Sequence, residues 1–323
     1  MRDPFISEGW AEKLHVITVV SNPVNYLSRY ELYVEFAKRI HDAGAILWTV
    51  ELAYGERSFA ITQKDNPRHI QLRAGGEDRI GTVIWSKENL INIGIQRMPK
   101  EAKYICWCDA DIVFQRPDWP EATIHELQLH PIIQPWSHAQ DLGPEGQPVG
   151  KALESFCSAW YTGKPMDWNH EKYASGVGHP GYCWAARRDA LDKLGGLIDF
   201  AVLGSADRHM AYALVDKVEF SVHPKVHPSY IKHLKIWEVR ARHYLHRNIS
   251  YLPGLITHHW HGSKKARGYS SRWQILVDRQ FNPELDLKRD SQGVYQLTER
   301  NWRLRHDIIR YFESRDEDDI RMD

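Results

Sequence analysis

The chain has 323 residues, no net formal charge, 42% hydrophobic residues and 26% charged residues, a composition typical of folded globular proteins and unlike that of disordered ones. This length allows one large domain or two small ones. No apolar run reaches the roughly 18 residues of a transmembrane helix, so no membrane partner is predicted. The first ten residues lack the apolar stretch of a signal peptide, and only four cysteines occur. These features predict a cytoplasmic protein with reduced thiols.

The neutral total conceals an uneven distribution of charge. Between Ser221 and Arg279 there are 11 Lys and Arg against two acidic residues, a balance of +9, so the rest of the chain carries −9. Eight of the 18 histidines lie in the same stretch. A segment this basic favours an anionic ligand, but it is also typical of a solvated helix face balanced by acids elsewhere.

The first half of the chain alternates between predicted strands and predicted helices. Short apolar, β-branched runs predict strands, and apolar residues at helical spacing, closed by Gly or Pro, predict helices. Ser28 and Glu31 form a capping-box pattern at the start of the first helix. This order predicts an α/β fold with a mostly parallel sheet covered by helices. The predicted strands are 14–20, 45–50, 69–72 and 104–108, and the predicted helices are 28–44 and 86–98.

The second half of the chain is less regular. The same criteria predict a strand at 131–136, a Gly/Pro-rich loop at 140–151, and helices at 187–194, 206–215 and 302–312. The acidic end, 313–323, is predicted to be a solvated tail. We therefore expect one domain over residues 10–280, followed by a C-terminal helical extension and acidic tail over 281–323.

Two carboxylates follow the predicted strand 104–108 directly. Asp109 and Asp111 are two positions apart, so both can face the same side. Hard oxygen ligands placed in this way suit Mg²⁺ or Mn²⁺, which would join them to a diphosphate. Ligands bind at the carboxyl ends of strands in parallel sheets, where Ser21, Asn22 and Glu51 are also expected. An alternative is that Asp109 and Asp111 only cap the turn that follows.

Three segments resemble GT-A glycosyltransferases, which use nucleotide sugars. YICWCDADIVF, at 104–114 and preceded by WSKENLINIGIQRMP, is similar to their Asp-x-Asp region. The segment 178–210 resembles their acceptor side, where a Gly-Gly turn leads to an acidic residue at a helix start. The run from His259 to Lys265 is similar to the His-x-x-Gly-x-x-Lys signature of glycogenin-like enzymes. In those enzymes the His ligates the metal and the Lys meets the pyrophosphate.

The resemblance implies a GT-A fold, a Mn²⁺ or Mg²⁺ cofactor and a nucleotide-sugar donor, most commonly a UDP-sugar. Asp109 and Asp111 would bind the metal together with a histidine. The signature spacing favours His259, whereas His261 is the one adjacent to the glycine, so both stay candidates. The residues expected to contact the donor are Ser21, Asn22, Glu51, Lys87, Asp109, Lys264, Lys265 and Arg267.

Asp207 is the candidate catalytic base. It lies at the predicted start of a helix, where inverting families place the carboxylate that removes a proton from the acceptor hydroxyl. An N-cap role explains the same position equally well. Inverting families usually have two or three adjacent acids here, but this chain has Ala-Asp-Arg. The stereochemistry of transfer therefore stays open.

The acceptor is predicted from the basic stretch. Between Pro224 and Arg247 its basic residues alternate with Tyr230, Trp237 and Tyr244, which would suit phosphate contact and base stacking. With no membrane anchor predicted, this pattern fits phage-type enzymes that glycosylate hydroxymethylated pyrimidines of DNA in the host cytoplasm. A glycan, lipid or protein acceptor is the alternative. A nucleotidyltransferase and a non-enzymatic nucleic-acid-binding domain are alternatives of another class.

Overall fold

The computed structural model describes residues 9–75, 80–166, 168, 178–263, 266–268 and 271–320. The strands are β1 (Leu14–Ser21), β2 (Ile46–Tyr54), β3 (His69–Ala74), β4 (Tyr104–Cys108), β5 (Ile112–Phe114), β6 (Ile132–Gln134), β7 (His138–Asp141), β8 (Leu153–Glu154), β9 (Cys183–Arg187), β10 (Ile249–Tyr251), β11 (Leu255–His258), β12 (Leu287–Arg289) and β13 (Tyr295–Leu297). The α-helices are α1 (Ser28–Asp42), α2 (Lys87–Arg97), α3 (Trp119–Leu129), α4 (Phe156–Tyr161), α5 (Arg188–Leu194), α6 (Ala206–Ala213), α7 (Pro228–Leu245), α8 (Arg272–Asp278), α9 (Pro283–Asp286) and α10 (Trp302–Glu313).

A seven-stranded sheet in the order β10-β6-β9-β4-β1-β2-β3 forms the centre of the fold. Its neighbouring strands are parallel except at β9, which is antiparallel to both β4 and β6. Alternate residues of β1 face opposite sides, since Val16 packs in a cluster with Phe36 of α1 and Ile17 packs in another with Leu90 of α2. Helices therefore cover both faces, and the predicted α/β class is confirmed. No described helix has the length and apolarity needed to cross a membrane.

The long elements of the sequence prediction are confirmed, with small shifts at their ends. The strand 104–108 is found with those bounds, whereas β2 continues four residues beyond its predicted end. A second, four-stranded sheet in the order β5-β11-β7-β8 was not predicted. Its strands are two to four residues long, too short to show a period. This small sheet abuts the end of β4 and supplies half of the candidate site.

The capping-box prediction for α1 is wrong. No side chain within the helix caps it, and its N-cap position is Leu27. The backbone N–H groups of Leu27 and Ser28 instead donate to the carboxylate of Asp318, at 2.8 and 2.9 Å. A carboxylate at this position also interacts favourably with the helix dipole. The cap is therefore supplied from the other end of the chain.

The prediction of a solvated acidic tail is wrong for Arg315 and Glu317, which are buried, although most of residues 313–320 are exposed. Glu317 is only 1% exposed and accepts hydrogen bonds from Arg29, at 2.6 and 2.7 Å, and from Arg315, at 2.6 Å. Tyr26 donates its hydroxyl to the carbonyl of Phe312 at 3.0 Å. Phe281, Val294, Leu297, Leu304 and Ile308 belong to the main core. The residues after 281 thus pack into the body of the protein, and the proposed boundary there stays a prediction.

His15 on β1 is buried inside this fold as a neutral ring. Its Nε2 lies 3.2 Å from the carbonyl oxygen of Trp10, and its Nδ1 accepts a hydrogen bond from Trp48 Nε1 at 3.1 Å. This network assigns the proton to Nε2. Burial is the main cause that lowers the pKa of His15 to about 4. A second proton on Nδ1 would face the indole N–H, so protonation requires the contact to break.

We expect His15 to make the protein sensitive to acid. The unfolded chain binds a proton at this residue near pH 6.5, and the folded chain binds it only near pH 4. The stabilisation that neutral His15 provides is therefore complete above pH 6.5 and is lost as the pH falls from 6.5 to 4. Between about pH 7.5 and about pH 5, His15 should lower the free energy of unfolding by about 2 kcal/mol. Urea unfolding at both pH values should show a loss smaller by this amount in His15→Gln than in the wild type. Equal losses would contradict the assignment.

Candidate functional site

A cavity of about 610 Å³ opens at the carboxyl ends of β1 and β4. The sheet supplies Ser21 and Asp109, and the first turns of α2 and α6 add Lys87 and Asp207. The C-terminal segment contributes Arg315 to the wall. A cavity of this size, with polar groups converging at strand ends, is typical of small-molecule sites in α/β proteins.

Asp111 lies in this cavity with two histidines, His258 at the end of β11 and His261. One potential ligand atom from each of the three residues lies within 4.8 Å of the other two. Asp111 Oδ2 is 3.6 Å from His258 Nε2 and 3.4 Å from His261 Nδ1. The other oxygen, Asp111 Oδ1, is buried and has no hydrogen-bond partner among the described residues. An uncompensated buried carboxylate oxygen beside two imidazoles is what a divalent cation would satisfy.

The structure places His258, which was not predicted, in this cluster rather than His259. The backbone N–H of His259 donates to the carbonyl of Asp111 at 2.8 Å, but its ring is not part of the group of ligand atoms. His258 is the last residue of β11, so its side chain and that of its neighbour leave the strand on opposite sides. His261 joins the cluster as expected from sequence.

Electrostatics at the cluster favour positive charge next to Asp111. Burial alone would raise the pKa of Asp111, but His258, His261 and Arg267 hold it well below its usual range. Burial opposes protonation of His258, yet the carboxylates of Asp111 and Asp141 raise its pKa to about 9. Burial and the charge of Arg267 lower the pKa of His261 to about 3. His261 is therefore neutral, with one ring nitrogen whose lone pair can serve a metal, whereas His258 carries a proton that a metal bound at Nε2 would displace.

Asp109 also lines the cavity and forms an ion pair with Lys87. Burial raises the pKa of Asp109, and the ammonium group only partly opposes this. Burial would lower the pKa of Lys87, but Asp109, Glu88 and Asp207 raise it above its usual value. Lys87 thus stays charged in the cavity, as its predicted contact with an anionic donor requires. Asp109 is not in the cluster around Asp111 within the described residues.

Glu88 is a cavity residue that the sequence did not indicate. It is 5% exposed, and burial raises its pKa to about 7, while Lys87 opposes this rise and Asp207 adds to it. The sequence analysis identified its neighbour Lys87 as a candidate. A Glu in the first turn of a helix is common, so its burial becomes evident only from the fold.

Asp207 lines the cavity from the first turn of α6. The N-cap is Ser205, with φ of 79°, so the N-cap alternative for Asp207 is wrong. Its Oδ1 accepts the backbone N–H of Arg208 at 2.8 Å. Its Oδ2 faces Gly181, where a Cβ atom would lie 2.9 Å away from it. The absence of a side chain at Gly181 lets the carboxylate reach the cavity.

The three strand-end residues that were predicted to contact the donor have different surroundings in the structure. Ser21 lines the cavity, with its hydroxyl 2.7 Å from that of Tyr54. Asn22 instead closes its own turn, with its side chain bonded to the backbone of Tyr26 at 2.7 and 2.9 Å. Glu51 accepts four hydrogen bonds from residues 60–62, at 2.6 to 3.3 Å. Neither Asn22 nor Glu51 is among the described residues that line the cavity, and the donor contacts expected of them stay predictions.

Guanidinium groups also line the cavity. Arg267, which was predicted to contact the donor, lines the cavity, is 5% exposed and donates to the carbonyl of Gly262 at 3.0 Å. Arg272 and Arg315, which were not predicted, line it as well and contact the hydroxyl of Tyr311, at 3.5 and 2.9 Å. The predicted Lys264 and Lys265 lie outside the described residues.

The basic stretch is balanced within the fold. Tyr230 is fully buried and Trp237 is 6% exposed, so neither can stack on a nucleic-acid base, while Tyr244 is 47% exposed. Its cations pair with acids elsewhere: Arg242 and Arg247 with Asp216, Lys232 with Glu284, and Arg279 with Asp307. The reading of this stretch as a helix face neutralised in space fits these contacts better than a DNA-binding surface.

No protein-family model matches the sequence, and no curated protein matches it. Among solved structures, the catalytic domain of Drosophila beta1,4galactosyltransferase 7 with xylobiose aligns at 12% identity and a TM-score of 0.32, over 64% of this chain and 61% of that one. A point mutant of that enzyme with manganese, UDP-Gal and xylobiose aligns at 14% identity and 0.31, over 64% and 62%.

Staphylococcus aureus TarS, in a fragment crystallised with UDP and without it, is a further similar structure. The fragment without UDP aligns at 10% identity and a TM-score of 0.39, over 94% of this chain and 71% of that one. The chain spans about three fifths of the two galactosyltransferase structures. Because every one of these TM-scores is low, the inferences below depend on the site itself.

Proposed function

We propose that this protein is a metal-dependent glycosyltransferase that moves a sugar from a nucleotide-sugar donor to a hydroxyl group. The observation that carries the proposal is the buried oxygen of Asp111 that has no hydrogen-bond partner among the described residues, beside His258 and His261 in a cavity that guanidinium groups also line. A metal site next to cations suits a diphosphate, which both would bind. The volume of about 610 Å³ lies in the range of pockets that hold nucleotide-sized ligands.

The residues fit a divalent metal, and they favour Mn²⁺ over Mg²⁺. Asp111 offers carboxylate oxygen and the two histidines offer nitrogen, which Mg²⁺ accepts reluctantly. When bound, the metal would stabilise negative charge on the departing diphosphate. Asp109 pairs with Lys87, so it would meet the donor through this ammonium group or join the metal as the sequence predicted.

The protein's own residues account for the remaining chemistry. Lys87, Arg267 and Arg272 would hold the phosphates, since charge-assisted hydrogen bonds to phosphate oxygens are strong. Asp207 lies in the first turn of α6, and its Oδ2, which accepts no hydrogen bond from the part of the chain that the structure describes, would take the proton of an acceptor hydroxyl.

The proposed acceptor is a hydroxyl compound small enough to approach Asp207. Hydroxymethylpyrimidine DNA was the acceptor expected from sequence, but burial of Tyr230 and Trp237 removes two of its three stacking residues. No observation in the described residues now favours DNA over a glycan, and both belong in the test.

The proposal is tested by incubating the protein with Mn²⁺, a panel of UDP- and GDP-sugars, and acceptors that include small glycosides and hydroxymethylpyrimidine DNA. We expect release of nucleoside diphosphate and a sugar-sized mass gain on one acceptor, both abolished by chelation. Asp207→Asn should keep donor binding but lose transfer, whereas Asp216→Asn, a carboxylate change at a distant ion pair, should match the wild type.

The assay also separates the alternatives. A parallel incubation supplies nucleoside triphosphates and sugar phosphates instead. Pyrophosphate formation there, without diphosphate release from any sugar donor, would establish a nucleotidyltransferase. Binding of DNA without turnover or metal dependence would favour a non-enzymatic protein. Either result would overturn the proposed transfer reaction.

A further inference from the structure

A chain of hydrogen bonds lies directly behind the proposed metal ligand His258. Its Nδ1 is 2.9 Å from Asp141 Oδ1, and the same oxygen accepts the hydroxyl of Tyr182 at 2.9 Å. Because a carboxylate oxygen only accepts, the proton between His258 and Asp141 belongs to Nδ1. In the neutral ring this leaves the lone pair on Nε2, the atom that faces Asp111.

The fold holds this arrangement rigidly. β7 and β11 are parallel neighbours, and His258 lies in register with Asp141. Both side chains are buried, at 6% and 7% exposure. The small sheet thus fixes the distance between carboxylate and imidazole through the backbone, not through a flexible loop.

Tyr182 connects this pair to Asp109. Its carbonyl accepts the backbone N–H of Asp109 at 2.9 Å, while its hydroxyl reaches Asp141. Its ring stacks on His179 with centroids 4.3 Å apart and meets Trp136 edge-on at 5.4 Å. The residue has φ of 69°, a conformation that is rare for a bulky side chain and that concentrates at functional sites.

We propose that Asp141 and Tyr182 are positioning residues that fix the tautomer of His258 and thereby present its Nε2 to a divalent cation. This inference rests on the metal site of the proposed function. A carboxylate behind a ligating imidazole sets the ring orientation and increases its basicity, and loss of such a partner typically costs 10- to 100-fold in metal affinity. Tyr182 would in addition hold Asp109 and the Asp111 cluster in one geometry.

The test measures Mn²⁺ binding without any sugar donor, from the paramagnetic resonance signal of free Mn²⁺. We expect Asp141→Asn to weaken binding by about 10- to 100-fold and Tyr182→Phe by a smaller factor in the same direction. Turnover of both variants should recover at saturating Mn²⁺, because every ligand is still present. A purely structural role would instead lower kcat at all Mn²⁺ concentrations.

Two matched variants serve as controls. Asp216→Asn removes a partly buried carboxylate that binds arginines, and Tyr33→Phe removes a buried hydroxyl that contacts Thr49 at 2.8 Å. Both should bind Mn²⁺ like the wild type. The ¹⁵N shifts of the His258 ring, recorded in the metal-free protein at a pH high enough for the ring to be neutral, should report the Nδ1–H form in the wild type and a changed proton distribution in Asp141→Asn.

The outcomes separate this inference from the proposed function. Wild-type affinity for Mn²⁺ in both Asp141→Asn and Tyr182→Phe would overturn the positioning role while leaving the metal site intact. Failure of the wild type itself to bind Mn²⁺ would overturn the metal site, and the positioning role with it. An Nε2–H ring in the wild type would contradict the proposed tautomer.

Discussion

The Asp111→Asn substitution is expected to weaken Mn²⁺ binding by at least about 100-fold and to remove metal-dependent turnover. Asp111 is the carboxylate of the cluster, and its Oδ1 is the buried oxygen that has no hydrogen-bond partner among the described residues. Asparagine keeps the size of the side chain but removes the charge that His258 and His261 face. A neutral amide contributes much less to binding a divalent cation in a site shielded from water.

The measurement pairs a Mn²⁺ titration with diphosphate release from the donor that the wild type uses. The variant should remain folded, because His258 keeps its contact with Asp141 and the substitution changes no volume. Asp216→Asn, away from the cavity, is the matched control and should retain both signals. Wild-type Mn²⁺ affinity in Asp111→Asn would show that the cluster is not the metal site.

The central sheet could be predicted because its strands carry continuous apolar runs. β1 and β4 are buried on both faces, so their sequences show unbroken hydrophobicity, and the polar residues that end them mark the site. Asp109, Asp111, Lys87, Asp207 and Arg267 were found in this way or through the resemblance, and all line the cavity. Their roles in binding and catalysis stay predictions.

The second sheet could not be predicted, because its information is not local. β7, β8 and β11 have only two to four residues each, and pairing across more than 100 positions brings Asp141 to His258. A period of two needs more residues than these strands have. The sequence therefore identified a histidine-rich segment with His259 and His261 as candidates but missed His258, since the alternation that turns His258 inward depends on where β11 ends.

The burial of the C-terminal segment also could not be predicted from local sequence. Its acidic composition is typical of a solvated tail, and nothing near Glu317 in sequence indicates burial. Its partner Arg29 is 288 positions away, and Asp318 caps a helix from the start of the chain. The charge complementarity between the two ends of the chain is therefore evident only from the structure. Arg315 and Glu317 also line the cavity.

The Glu317→Gln substitution is expected to reduce the free energy of unfolding by about 3 to 5 kcal/mol. Glu317 is 1% exposed and bonds to both Arg29 and Arg315 at 2.6 to 2.7 Å. Removing its charge leaves two guanidinium groups buried without their shared carboxylate, and desolvation makes that costly. Burial would raise the pKa of Glu317, but the two arginines hold it far below the usual range. Its stabilising effect is thus present above the unfolded pKa and lost as the pH falls below it.

Urea unfolding at neutral pH measures this effect, and Glu313→Gln is the matched control. Glu313 is exposed on the last turn of α10, so its substitution should change stability by less than about 0.5 kcal/mol. The two variants should converge as the pH is lowered, because a protonated Glu317 already lacks the charge that glutamine removes. Since Arg315 and Glu317 line the cavity, Glu317→Gln should also raise the KM for the donor. Equal stability of the two variants at neutral pH would contradict a buried ion network at this wall.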